Sequence, residues 1–406
     1  MTRVLVVTPS YPAPDDPLAG VFVHRQVVHL TRLGVDCRVL AFRPGPPPFP
    51  LWLRRRSWLR YYVRRLGWPR AIDGVPVHTV FYRRAWRPGE DVVPAIGRAL
   101  AAFVARHPAV GRADVVYAHW LWPSAAAALE LRRQFGWPVA GIARGSEMHD
   151  WHALHPTCRP WVEHVLHSAD RVLANCEALR ERAGQLVPGC AADIAVVYNG
   201  CDPDRFRPAD DRAGARSRLG LGPDTRMLLC CADVKPVKGI EELSSAWRTF
   251  SARHPDWRLT VVGRVIHHEL ARVLRRVGRV RLTGRLDAER VLGHLQAADG
   301  YVQPSRLEGL ANATMEAMAA GLPVITTDTC GQRELVQDQE NGWLVPARDP
   351  AALTRALEAL ASDPDRAWRL GRAARHTIET RFSTAAHVER LAAVLAETST
   401  ASRART

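Results

Sequence analysis

Short apolar, β-branched runs alternate along this chain with alanine- and leucine-rich stretches of helical spacing. TRVLVV at 2–7 reads as a buried strand, followed by a helix over 23–33 and a second strand over 36–41. ADVVYA at 113–118 reads as a strand, 124–135 as a helix and 137–143 as another strand. The same period restarts with strands at 226–231, 257–262, 279–282, 300–303 and 323–326. Repeated β-α-β units imply an α/β protein with parallel sheets covered on both faces. The two runs meet at VYNGCDP, residues 197–203, where turn formers cluster. Two doubly wound Rossmann-like halves facing across a cleft are predicted. Ligands of such sheets sit outside the carboxyl ends of the strands.

Composition fits this picture. The 406 residues accommodate two domains of roughly 200 residues each. With 47% hydrophobic and 24% charged residues, the chain is not of the disordered class. Lysine plus arginine exceeds aspartate plus glutamate by 56 − 41 = +15, which favours phosphates, anionic lipid or nucleic acid as partners. No nucleic-acid recognition motif is visible, so no nucleic-acid partner is expected. No apolar run approaches the roughly 18 residues needed to cross a bilayer. MTRVLVVTPSYP has too short an apolar run for a signal peptide, and a cytoplasmic protein is expected. The eight cysteines form no C-x-x-C pair and read as reduced thiols. His149, His152 and His155 are closely spaced but lack a partner cluster of ligand spacing, so no metal site is expected.

The most informative stretch is QPSRLEGLANATMEAMAAGLPVITTD, residues 303–328. A strand ends at Gln303, Glu308-Gly309 opens a loop, Asn312 reads as a helix N-cap, and Gly321 stops that helix. A glycine loop running into a helix start suits a nucleotide diphosphate, because the backbone can approach closely and N–H groups point at the anion. Carboxylates do not bind phosphate. Glu308 and Glu316 are therefore expected to face hydroxyl donors such as a sugar ring and a ribose.

The setting S-x-x-E-G…E-A-M-A-x-G-x-P-V, with two glutamates separated by seven residues, resembles the signature of retaining GT-B glycosyltransferases of the family four type, including bacterial polysaccharide and teichuronic-acid enzymes. The likeness extends over nearly the whole chain. AGVFV at 19–23 resembles the family's glycine loop, YAHW at 117–120 its histidine strand, and RGSE at 144–147 its H-G-S-D type turn. VYNGCD at 197–202 is similar to the interdomain P-N-G-V-D element, and KPVKG at 235–239 to the lysine-before-glycine phosphate contact.

This resemblance implies an acceptor-binding domain over 1–197 and a nucleotide-sugar-binding domain over 198–375. The remainder, 376–406, would be a helix crossing back to the first domain with a disordered tail. Glu308 would hold donor-sugar hydroxyls, the N–H groups of Gly309, Leu310 and Ala311 would receive a phosphate, and Glu316 would bind the ribose. Lys238, with Lys235 nearby, would neutralise the departing diphosphate. Gly20 would let the backbone close on that group, and His119 would line the sugar and acceptor pocket. Arg144, Ser146 and Glu147 would lie on the acceptor side. The donor would carry UDP first or GDP next, the acceptor would be a hydroxyl of a glycan, a lipid-linked oligosaccharide or a small molecule, and no cofactor or obligatory metal is implied.

Three positions depart from the family pattern. Asp233 stands five residues before Lys238, where an arginine is usual, and Arg144 and Glu147 replace histidine and aspartate. A carboxylate beside a diphosphate would repel it, so either Asp233 points away and Lys235 supplies the second cation, or phosphate binding is weakened. A sugar-nucleotide epimerase of the same architecture and a non-catalytic nucleotide-sugar-binding partner are the competing readings.

Residues 51–70 carry seven arginines, three tryptophans, two tyrosines and no acid. Drawn as a helix, Trp52, Trp58, Leu59, Tyr62 and Leu66 share one arc and Arg54, Arg60, Arg64 and Arg65 fall largely opposite. Such a helix either lies on an anionic membrane surface at the cytoplasmic leaflet or packs on the first sheet with a solvated basic face.

Overall fold

The computed structural model describes residues 1–45, 71–83, 90–149 and 155–404. The basic segment 51–70 and His152 therefore lie outside the described residues. The chain divides into two units, Met1–Val197 with Val388–Thr406, and Tyr198–His387.

The first unit contains β1 (Arg3–Thr8), β2 (Asp36–Pro44), β3 (Ala71–Ile72), β4 (Val75–Tyr82), β5 (Val115–His119), β6 (Val139–Ala143), β7 (Arg171–Ala174) and β8 (Ile194–Val196). Among the described residues they form one sheet in the order β3-β4-β2-β1-β5-β6-β7-β8. Only the β3/β4 pair is antiparallel. Strands buried on both faces read as near-continuous apolar runs, which is why RVLVVT of β1 shows no alternation. The chain winds outward from β1 to β4 and then returns to β5 on the other side of β1, so the winding reverses between β1 and β5. Val27 and Leu30 of helix Val21–Arg32 cover the sheet, joined by Val388, Leu391, Val394 and Leu395 of the terminal helix Thr384–Arg403. That helix is further held by Asp114, which pairs with both Arg3 and Arg403 at 2.8 and 2.7 Å.

The second unit contains β9 (Arg226–Cys231), β10 (Trp257–Val262), β11 (Val280–Gly284), β12 (Gly300–Gln303), β13 (Val324–Thr327) and β14 (Trp343–Val345), all parallel, in the order β11-β10-β9-β12-β13-β14. Here the winding reverses between β9 and β12. One face of the sheet packs on helices Ile240–Arg253 and Pro350–Ser362 through Trp247, Phe250, Leu353 and Leu357. The other packs on helices Asn312–Ala319 and Pro364–Arg381 through Met315, Met318, Ala374 and Ile378.

The strands read at 226–231, 257–262 and 300–303 are found at those residues. One local reading is corrected. Ala311, not Asn312, is the N-cap of helix Asn312–Ala319, and no side chain caps that helix. The Asn312 carboxamide oxygen instead accepts a hydrogen bond from Asn199 Nδ2 at 3.0 Å, and the same nitrogen donates to the Leu310 carbonyl at 3.1 Å. Asn199 of the YNG turn thus takes the capping side chain for itself and pins the glycine loop.

Candidate active site

In the second unit, the loop after β9 and the loop after β12 lie at the point where the strand order reverses, which is where open α/β sheets bind ligands. Lys238 ends a 3₁₀ turn, Pro236–Lys238, after β9. Gly239 follows with φ +67° and opens helix Ile240–Arg253. A Cβ at Gly239 would overlap the Pro304 carbonyl, so the absence of a side chain is what lets the two loops touch. The Arg306 N–H donates to the Val237 carbonyl at 2.8 Å and closes the junction. Its guanidinium binds Glu242 at 2.8 Å and also Glu241, in the first turn of that helix.

This junction brings two of the sequence-derived residues together. Lys238 Nζ donates to both oxygens of Glu308, at 2.8 and 2.6 Å, with both side chains less than one-fifth exposed. An ammonium has three protons, and two are engaged here, leaving one N–H for an oxygen of a ligand. Gly309 is half-buried, Leu310 and Ala311 are buried, and the segment leads directly into helix Asn312–Ala319. Glu316 is half-buried one turn further along. Burial first, then the thiols of Cys231 and Cys230 and the carboxylates of Glu316 and Glu308, push the Tyr301 phenol well above its ordinary range.

Under the loop runs a buried polar network that the sequence did not disclose. Tyr301 donates to Gln303 Oε1 at 2.7 Å, and Gln303 Nε2 donates to Ser305 Oγ at 2.9 Å. Thr326 donates to the Gln303 carbonyl at 3.1 Å, and Gln332 Nε2 donates to Thr326 and Thr314 at 2.9 and 3.1 Å. These bonds tie the end of β12 to β13 and to helix Asn312–Ala319, while Gln332 Oε1 is buried without a hydrogen-bond partner among the described residues. The only local hint was the Q-x-S spacing after a strand.

Asp233 does not face its neighbouring lysines alone. Arg264, just after β10, binds it at 2.7 Å through Nη2, and the Arg264 N–H donates to it at 2.8 Å. These contacts outweigh burial and hold the Asp233 carboxyl below its ordinary value, with Lys235 contributing from the same loop. Lys235 itself precedes the 3₁₀ turn that carries Lys238. Arg264 was missed because nothing in its own neighbourhood marks it.

In the first unit, the loop after β1 and the ends of β5 and β6 lie at the other winding reversal. Gly20, φ +59°, opens helix Val21–Arg32, and a Cβ there would overlap the Ser10 carbonyl. His119 ends β5 fully buried, with its ring 4.7 Å from Tyr117 and 6.5 Å from Phe22. Arg144, one residue past β6, places Nη2 at 2.9 Å from His119 Nδ1 and its guanidinium 5.1 Å over the Phe22 ring. Ser146 begins the 3₁₀ turn Ser146–Met148, whose second residue is Glu147. The Glu147 Oε1 accepts the N–H of Arg144 at 2.9 Å and that of Leu121 at 3.3 Å, tying the ends of β5 and β6 together. Its Oε2 is buried without a hydrogen-bond partner among the described residues. Burial pushes the Glu147 carboxyl up to about 7, against the pull of backbone N–H groups and Arg144. His119, Arg144 and Glu147 thus form one linked group beside Gly20 and Phe22.

Comparison with known proteins defines the class. Sucrose-phosphate synthase from Thermosynechococcus elongatus superposes with a TM-score of 0.80 at 20% identity, covering 99% of this chain and 100% of that one. Anabaena HepE, solved in complex with UDP and glucose, gives 0.75 at 17% identity over 97% and 99%. Two Rossmann-like parallel sheets of this kind are the GT-B fold. Residues 19–205 match the family described as Glycosyltransferase Family 4, and 225–363 match Glycosyl transferases group 1. A GDP-mannose-dependent phosphatidylinositol monomannoside mannosyltransferase of Mycolicibacterium smegmatis is 33% identical over 63% of this chain and 70% of its own. A teichuronic acid biosynthesis glycosyltransferase, TuaC, of Bacillus subtilis is 28% identical over 87% and 88%. The D-inositol 3-phosphate glycosyltransferase of Streptomyces scabiei is 32% identical over 65% of this chain and 64% of its own. The chain belongs to glycosyltransferase family 4. It spans 64%, 50% and 61% of the length of the first three inositol-phosphate relatives it matches.

Proposed function

We propose that the chain is a retaining glycosyltransferase that moves a sugar from a nucleotide-diphosphate sugar to a hydroxyl acceptor. The observation that carries this reading is the Lys238–Glu308 pair at the winding reversal of the second sheet. In this reading Glu308 accepts hydroxyls of the donor sugar, Glu316 those of the ribose, and the N–H groups of Gly309, Leu310 and Ala311 take a phosphate. Negative charge grows on the departing diphosphate as the glycosidic C–O bond breaks. Lys238, Lys235 and the helix start stabilise it as preorganised positive potential, without an obligatory metal. The leaving phosphate helps to deprotonate the acceptor hydroxyl on the same face, which retains configuration. Gly20 closes the backbone on the diphosphate, and His119, Arg144, Ser146 and Glu147 form the acceptor side.

The donor in this reading carries UDP or GDP, nucleotides named for HepE and for the mycobacterial mannosyltransferase respectively. Among the described residues no helix is long and apolar enough to cross a membrane. The basic aromatic segment 51–70 would dock the protein on an anionic leaflet that presents a lipid-linked acceptor. Liposome flotation with and without anionic lipid tests that part. The activity itself is tested by nucleotide release from a panel of sugar nucleotides, with the product's anomeric configuration read by proton NMR. Donor conversion without transfer would indicate an epimerase, and binding without turnover would indicate a non-catalytic partner.

A further inference from the structure

We propose that Arg144 is a positioning residue that fixes His119 as the neutral tautomer protonated on Nε2. The imidazole at the end of β5 then offers a hydrogen-bond donor and takes up no proton during transfer. This deepens the acceptor-side assignment above and rests on it for the word transfer; the tautomer itself does not.

The geometry leaves one arrangement of protons. A guanidinium carries donors only and stays protonated in proteins. Arg144 Nη2 lies 2.9 Å from His119 Nδ1, so the ring nitrogen supplies the lone pair and the ring proton resides on Nε2. An imidazolium would set two N–H donors and two positive charges against each other at that distance. Among the described residues, the charged and titratable groups in contact with this ring or with Arg144 include Tyr117 on β5 and Glu147 on the turn after β6. Tyr117 is held above its ordinary range by burial and stays neutral. Glu147 meets Arg144 through the backbone N–H at 2.9 Å.

Arg144 has little freedom to leave. Its backbone is fastened to Glu147 at 2.9 Å, its guanidinium lies 5.1 Å over Phe22, and His119 is fully buried. An arginine can only donate, so the contact fixes the ring in one tautomer, and Arg144 acts through His119 rather than on the acceptor.

The test is long-range proton–nitrogen NMR on the full chain labelled with ¹⁵N-histidine, with the His119→Gln variant identifying the signal. The expected wild-type result is a single Nε2–H tautomer, unchanged between about pH 5 and 8. Arg144→Met should lose that single tautomer and make His119 titrate, while kcat falls and gains a pH dependence in the same range. Arg144→Lys, whose ammonium like the guanidinium can only donate, should restore the tautomer and flatten the profile. An Nδ1–H tautomer or a titrating His119 in the wild type overturns the proposal, as does an unchanged signal in Arg144→Met. The spectra need no turnover, so they separate this proposal from the glycosyltransferase reading. Should Arg144→Met fail to fold, the wild-type spectrum still decides.

Discussion

Lys238 Nζ is shared between the two carboxylate oxygens of Glu308, at 2.8 and 2.6 Å, across a sequence separation of 70 residues. A pair this well ordered and this little exposed should act as one unit. Lys238→Met is expected to lower kcat by about 10²–10³-fold, the cost of removing one preorganised contact to the leaving group. Glu308→Gln should be impaired as well. The double variant should fall short of the summed losses by about 0.5–3 kcal/mol, because each single change already breaks the pair. Steady-state kinetics of the four proteins measures this, and additive losses would separate the two roles.

Glu316 makes a different prediction. It lies in helix Asn312–Ala319, half-buried, and in the proposed reading it accepts the ribose hydroxyls. The ribose is unchanged between ground and transition states, so its contacts contribute uniform binding. Glu316→Ala should raise the donor KM by about tenfold, the loss of roughly 1.4 kcal/mol, and leave kcat nearly intact. A fall in kcat at constant KM would move Glu316 out of the ribose position.

Asp233 stands beside the lysine loop with its charge answered by Arg264 at 2.7 Å. Arg264→Ala leaves that carboxylate with Lys235 and then opposes a diphosphate. The expected result is a several-fold rise in donor KM that grows as salt is lowered, since the opposing charges are only partly screened. Asp233→Ala/Arg264→Ala should recover part of the loss. If the double variant binds donor no better than Arg264→Ala, the arginine contacts the donor in its own right.

Gly239→Ala should damage both stability and activity. The position has φ +67°, which costs an L side chain about 1–2 kcal/mol, and the new methyl would overlap the Pro304 carbonyl. The β9 and β12 loops would separate, and with them Lys238 and Glu308. Denaturant titration should show a loss of more than about 2 kcal/mol, with kcat falling more than in a neutral surface variant. An alanine that folds and turns over normally would mean the loops need not touch.

How much of this was legible follows from what local sequence can encode. β9, β10 and β12 are largely buried runs and were readable at their true ends. β8 and β14 are three residues long, too short for any period to show, and β4 carries Pro76, which weakens a strand reading. The paired glutamates were legible because they sit in one loop-helix segment with glycine and a helix stop. The contacts that organise them were not. Lys238 meets Glu308 through a glycine-to-carbonyl approach, Arg264 reaches Asp233 from the loop after β10, and Asn199 takes Asn312 away from the helix it would have capped. Each is a pairing between segments, set by strand order rather than by neighbours.

The last prediction concerns pH. The Glu147 carboxyl is fully buried, and burial pushes it up to about 7 from an ordinary value of 4.5. Between those values the folded protein holds a proton that the unfolded chain has released, so folding takes up a proton. Stability contributed at this position is therefore greatest below pH 4.5, falls as pH rises through the window, and levels off above about 7. Glutamine keeps the oxygen that accepts the N–H groups of Arg144 and Leu121 and cannot ionise. Glu147→Gln should match the wild type near pH 4.5 and exceed it at pH 8 by up to about 3 kcal/mol, the shift converted at 1.36 kcal/mol per unit. Urea midpoints at the two pH values measure the difference. Equal pH dependence in the two proteins would mean that Glu147 is ionised in the fold at neutral pH and that water or a neighbouring group reaches its second oxygen.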